Sequence, residues 1–257
     1  MAVPAEKENH EKLLKIAGAH IQHMLSGEGR RDRTGERMTR VLFNGVYQPD
    51  EAPVLGEDIS PDDERSYAFI MSFLGLAQMA NCVEQCQFYF RRFPFRGLGV
   101  SRSDHLRNCC EMYFDRIVQY RDRLKKSLNL CREEATIDSA EVTRLLKIFD
   151  RAFSWEHRQR NQTHHHDRFD YVELNQLGMV ELIGKELSDE FQWMLNPKRL
   201  YRKAANQWVK RIKSRAENLH KLTEHVCGIM LESPSIARLA SDTSNGTLAS
   251  AADGVSD

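Results

Sequence analysis

The sequence predicts an all-α fold, an antiparallel bundle of four to six long helices, and three observations carry that prediction. Only 7 of the 257 residues are Pro and 14 are Gly, while Leu, Ala, Glu, Lys and Arg are plentiful, a composition that favours long uninterrupted helices. Apolar residues recur every three or four positions through most of the chain, the period that lines one face of a helix. Strong helix-start residues stand ahead of several of these stretches. At 41% hydrophobic and 29% charged, the chain can bury a real core, which excludes a disordered chain, a collagen or a disulfide scaffold. With 37 basic against 37 acidic side chains the formal net charge is zero, so any contact with a polyanion has to come from a local patch.

Residues 1–232 read as one helical-bundle domain and 233–257, small and polar, as a disordered tail. Leu13, Leu14, Ala17, Ile21, Met24 and Leu25 predict a first helix over about Glu6 to Leu25, ending before Gly27 and Gly29. A long connection from Gly27 to Ser60 carries five arginines, an Asn44-Gly45 pair suited to a small hairpin, and a stretch rich in Pro and acids. Ser60, Pro61, Asp62, Asp63 and Glu64 then supply a capping oxygen, a proline whose missing N–H is harmless, and carboxylates at the positive helix end. The second helix follows to about Arg92. Its apolar run, Tyr67 to Val83, is interrupted by Ser72, Gly75, Gln78 and Asn81, so a buried helix is expected rather than a membrane span. The opening MAVPAEKENHEKLLK has no apolar signal core, and a cytoplasmic protein is expected.

Leu106, Cys110, Tyr113, Ile117, Tyr120, Leu124 and Leu128 form one continuous stripe on a long third helix. Asp138 and Glu141 read as a capping box, and Val142, Leu145, Phe149 and Phe153 give the buried face of a fourth helix reaching Arg160. A helical segment is expected from about Tyr171 to Leu195, after which Asn196-Pro197 starts a basic last helix over about 197–232, with Ala205, Val209, Ile212, Ala216, Leu219, Val226 and Met230 on one face. No two of the six cysteines show C-x-x-C spacing, and buried reduced thiols are expected.

The densest reactive cluster is Glu156 to Asp167, at the polar end of the fourth helix. Arg160 is always charged and its planar fork matches two phosphate oxygens. His165 titrates near neutrality and can take or give a proton, while Asn161 can orient the imidazole or the phosphate. Metal-free RNA cleavage asks for such groups: a base for the ribose 2′-OH, an acid for the leaving oxygen and a cation for the phosphorane charge. Two other readings stand beside this one. The cluster can be a solvated helix end whose cations complement the dipole, or His164, His165, His166, Asp167 and Asp170 can be metal ligands, although adjacent helical positions diverge by about 100° and chelate poorly; no metal is expected. A local cationic face on the last helix, with Arg199, Arg202, Lys203, Lys210, Arg211 and Lys213, suggests a phosphate track for RNA. Trp208 reads as core, and Arg91, Arg92 and Arg96, interleaved with Phe88, Tyr89, Phe90, Phe93 and Phe95, read as core packing with snorkelling arginines. Glu84 is expected to pair with an arginine of a neighbouring helix.

Arg160-Asn161, three residues and then His165 is the pattern of the HEPN superfamily, which this chain resembles over roughly residues 60–187. Arg151 and His157 satisfy a looser spacing, so the resemblance rests on the stricter Arg-Asn-x-x-x-His form and the succession of helices. It implies a metal-independent, cofactor-free endoribonuclease that works by 2′-OH attack and leaves a 2′,3′-cyclic phosphate. Arg160, Asn161 and His165 would be catalytic, with His157, His164 and His166 in support. It further implies a homodimer whose two motifs face each other, RNA as substrate, an inhibitor or antitoxin protein as partner, and a toxin–antitoxin or antiphage defence setting. Some HEPN relatives are not nucleases, so a non-catalytic module binding nucleic acid, nucleotide or a protein partner is the alternative.

Overall fold

The computed structural model describes residues 8–26, 61–95, 97, 99–165, 168–183 and 196–241. They are helical almost throughout, with no strand among them. The helices are α1 (Glu8–Ser26), α2 (Pro61–Arg91), α3 (Arg102–Glu133), α4 (Ser139–Ala152), α5 (Ser154–His165), α6 (Val172–Ile183), α7 (Pro197–Leu231) and a short α8 over 234–241. The fold is all-α, as the composition and periodicity predict. The Asn44-Gly45 hairpin, the Ser60 cap and the helix end expected at Leu195 lie outside the described residues.

Where the sequence reads as one domain over 1–232, the contacts divide the chain into two compact units, and α2, α3 and α7 each supply a segment to both. Unit 1 comprises Met1–Leu74, Ser127–Asp138 and Glu224–Asp257; unit 2 comprises Gly75–Lys126 and Ser139–Thr223.

Within unit 1, the Glu224 carboxylate of α7 accepts the Asn9 and His10 N–H groups at 2.7 and 3.1 Å, capping the first turn of α1. Leu13 and Ala17 of α1 are buried, and His10 packs edge-on against Phe73 of α2. The Ser72 and Ser127 hydroxyls bond each other at 2.8 Å inside the core. After α3 the chain turns through Ala135, whose φ of +58° is left-handed. Ala135 N–H bonds Arg132 O and Thr136 N–H bonds Cys131 O, both at 3.0 Å, the paired bonds that close a helix at a left-handed residue. The tail expected from Ser233 begins instead with α8, whose Ile236 and Leu239 are buried. Glu134 accepts the Ser235 N–H and hydroxyl, and Ser233 Oγ accepts Ile236 N–H at 3.3 Å. Those two acceptors satisfy the first-turn donors and make so small and polar a stretch helical.

In unit 2, α2 runs antiparallel to α3: His105 Nε2 lies 3.1 Å from Tyr89 O, and a Cβ on Gly75 would fall 2.5 Å from Arg123 Nη1. The stripe of α3 is the spine of this core, and Leu106, Cys110, Tyr113, Ile117, Tyr120 and Leu124 are wholly buried. Trp208 of α7 sits in an aromatic cluster with Phe90, Tyr113, Phe114, Trp155, Phe169 and Tyr171. The start of α3 is capped twice. Ser101 Oγ accepts Asp104 N–H at 2.9 Å, and the Glu181 carboxylate of α6 accepts the Arg102 and Ser103 N–H groups at 2.9 and 3.0 Å. Asn196 caps α7 as expected, its Oδ1 accepting Lys198 N–H at 2.9 Å.

Two local readings change. The fourth helix is not continuous: α4 ends at Ala152, Phe153 forms a turn, and α5 resumes at Ser154. Phe153 is buried and stacked on Phe149 with centroids 4.7 Å apart, and backbone bonds from Phe153 N–H to Phe149 O and from His157 N–H to Phe153 O carry the helical register across the turn. Glu84 pairs with His220 of α7 at 3.0 Å, not with an arginine. The cysteines follow the expectation in part: five are buried and Cys82 is half-buried, all six of them free thiols.

The α2 helix is long and apolar enough to cross a membrane, yet 61% of its most apolar window is buried among the protein's own helices.

Candidate functional site

The buried face of α4 predicts more than its four apolar residues. Val142, Leu145, Phe149 and Phe153 continue at spacings of three and four onto Glu156 and then Arg160, so α5 turns these two polar residues toward α3 and α7. Glu156 is fully buried. Its Oε1 accepts Arg211 Nη2 and Arg215 Nε, both at 3.0 Å, and the Tyr113 hydroxyl at 3.3 Å. The Arg211 guanidinium also lies 3.6 Å from the Trp155 ring centroid, and that of Arg215 lies 5.3 Å from Phe153. A buried carboxylate is tolerable on these terms, since two guanidinium groups compensate its charge. Arg211, expected on the RNA track, is therefore a structural cation. The stripe arithmetic was the signal that could have found Glu156.

Arg160 is half-buried, with Nε 3.6 Å from Asp115 Oδ1 of α3. That atom is buried and makes no hydrogen bond among the described residues, so its contact with Asp115 is an ion pair of loose geometry. Asn161, one position on, is exposed. Thr163 Oγ1 donates toward Arg160 O at 2.9 Å and Gln159 O at 3.1 Å, the back-bond to the preceding turn that a threonine makes inside a helix. The helix includes positions 164 and 165, while His166 and the side chains of His164 and His165 lie outside the described residues. By helical register, position 164 falls about 40° from position 160, and position 165 falls about 40° from position 161 but about 140° from position 160. Spacing alone therefore does not set Arg160 and His165 on one face.

His157 lies on the side of α5 nearest α4, edge-on to Phe149, with Nε2 3.9 Å from Asp150 Oδ1. Burial holds its pKa below the usual histidine value, opposed chiefly by the Asp150 carboxylate. Asp150 is itself gripped by Arg121 through two bonds of 2.5 and 2.8 Å, and at 3.9 Å the His157 ring nitrogen lies beyond hydrogen-bond reach of it.

The remaining track residues, Arg199, Arg202, Lys203, Lys210 and Lys213, are exposed on α7. Trp208 is core, its indole N–H having no hydrogen-bond partner among the described residues. Of the aromatic stretch closing α2, Phe90 is buried, but Phe88 and Tyr89 are 55% and 56% exposed. The core packing expected for those two is thus corrected: the helix turns about 100° per residue, and with Phe90 and Gln87 inward, positions 88 and 89 face out. Among the described residues no three His, Cys, Asp or Glu side chains are grouped to hold a metal ion. The buried thiols make poor nucleophiles, since burial pushes Cys86 up to about 11 and Cys109, Cys131 and Cys227 up to about 12. Compared with family models, with curated proteins and with solved structures, the chain matches none.

Proposed function

We propose that the protein binds RNA and cuts it without a metal, as the HEPN resemblance implies, with Arg160, Asn161 and His165 at the centre. The observation that carries this reading is that α5 remains helical through His165, which sets Asn161 and His165 one turn apart on the same side of the helix. Arg160 holds a charge whose nearest described counterion is loosely placed, so a phosphate can displace it. The exposed cations of α7 supply the non-specific attraction. In this scheme one imidazole takes the 2′-OH proton, the 2′-oxygen attacks phosphorus, and the 5′-oxygen leaves as the cyclic phosphate closes. The departing oxygen needs a proton from a second acid, which a homodimer placing two copies of α5 together would provide. A toxin or antiphage role, with an inhibitor protein to hold it in check, fits such an activity.

A non-catalytic RNA-binding role is favoured by two observations: Arg160 already faces Asp115, and Arg211 is consumed by Glu156. Incubation of a labelled structured RNA with excess EDTA decides between them. Wild type is expected to yield fragments ending in 2′,3′-cyclic phosphate and His165→Ala none, at unchanged helical circular dichroism. Cleavage that survives in His165→Ala but disappears in His164→Ala would move the imidazole to the register position beside Arg160. RNA bound but never cut would leave the non-catalytic role.

A further inference from the structure

We infer that the corner of unit 2 formed by the end of α2 and the start of α7 is a stacking platform for single-stranded polynucleotide, with Phe88 and Tyr89 receiving bases. The inference rests on the RNA-binding part of the reading above and adds to it the surface that holds the strand. Phe88 and Tyr89 are 55% and 56% exposed, an unusual setting for two adjacent large aromatic side chains.

Tyr89 is anchored as well as exposed. Its carbonyl oxygen lies 3.1 Å from His105 Nε2, and His105 is packed against Phe93, Phe95 and Tyr201. The neighbouring Phe90 carbonyl accepts the Tyr201 hydroxyl at 3.3 Å, and Phe90 stacks on Trp208. The backbone that presents the two rings is thus fixed from below, so little ordering has to accompany binding.

The same contacts bring the first turns of α7 beside the last turn of α2. Arg91 and Arg92 on one helix and Lys198, Arg199, Arg202 and Lys203 on the other are all exposed, and among the described residues none of the six forms an ion pair with an acid. The Arg91 guanidinium lies 4.8 Å from the Phe88 ring centroid, steadied by Gln87 Oε1 at 2.8 Å. One turn before the rings, Gln85 is exposed and uncharged, and Glu84 is paired with His220 at 3.0 Å. Exposed ring faces interleaved with unpaired cations match a strand that offers unstacked bases and a phosphate at each step. A duplex matches less well, because its bases are already stacked on one another, and a folded acidic protein would use the cations but not two flat ring faces.

The test is fluorescence anisotropy with labelled oligouridylate and oligothymidylate of about 12 nucleotides, a length within the range of such sites. The DNA strand has no 2′-OH and reports binding with cleavage impossible. Wild type is expected to bind both strands, and the Phe88→Ala, Tyr89→Ala protein to bind each about 100-fold more weakly, about tenfold for each ring. Affinity for an RNA duplex of equal length should stay within about twofold, since phosphate contacts alone hold it. Circular dichroism and thermal midpoint should not move, both rings being at the surface. Single-strand affinity unchanged in the double variant overturns the platform while leaving RNA binding in place. A wild type that binds no polynucleotide overturns both, and tighter binding to anionic phosphatidylserine vesicles than to either strand overturns the platform in favour of a membrane.

Discussion

The fully buried carboxylate of Glu156 and the guanidinium of Arg211 meet at 3.0 Å, and the same guanidinium lies 3.6 Å from the Trp155 ring. Arg211 thereby ties α5 to α7 by charge and by ring contact at once. Glu156→Ala leaves Arg211 and Arg215 facing each other without their shared counter-charge and the Tyr113 hydroxyl without its acceptor. The expected loss is about 3 kcal/mol of unfolding free energy in urea titration. Arg211→Lys keeps the charge but loses the planar stacking, and should lie between the two proteins. A loss under about 0.5 kcal/mol in Glu156→Ala would show that water replaces the carboxylate.

His157 sets a pH dependence whose sign follows from its surroundings. Burial lowers its folded pKa relative to the unfolded chain, with Asp150 opposing. The folded state therefore prefers neutral imidazole. Its contribution is intact above the unfolded value of about 6.5 and is lost as pH falls below that value toward the lower folded pKa. Wild type should lose stability relative to His157→Asn as pH falls below about 6.5, so that the two denaturation curves converge on acidification. Proton NMR titration of the His157 ring should place its midpoint below about 6.5; a midpoint above that would reverse the assignment.

Ala135 holds a left-handed conformation, φ +58°, at the close of α3. Glycine adopts that conformation without the Cβ penalty. Ala135→Gly should raise stability by about 1 kcal/mol despite the greater freedom of glycine in the unfolded chain, seen as a higher denaturant midpoint at constant slope.

Most of the helices were legible in the sequence because their signals are local. The α3 stripe needed only its three-and-four spacing, and every stripe residue in unit 2 is buried as that spacing requires. Asn196 was legible as a cap for the same reason. What escaped depends on partners far along the chain. Nothing near Glu156 announces that two arginines 55 and 59 residues later will accept its charge. Nothing near Ser235 reveals that Glu134 will cap its helix from 101 residues away, and without that carboxylate so small and polar a stretch reads as tail. At the candidate site, sequence supplied the residue types. The placement of Arg160 against Asp115 needed α3, which local spacing does not contain.

The first helix carries a consequence for how the chain is built. Its leading N–H groups are closed by Glu224, 215 residues later, and Asn9 meets Gly228 of the same α7, where a Cβ would fall 3.2 Å from the asparagine amide. During synthesis α1 waits for 215 further residues before its first turn gains that partner. Unit 1 is thus assembled late from segments at both ends and the middle, a high-contact-order arrangement that slows folding. On the ribosome, the first turn of α1 lacks that carboxylate while those 215 residues are added, an interval in which a chaperone can hold it.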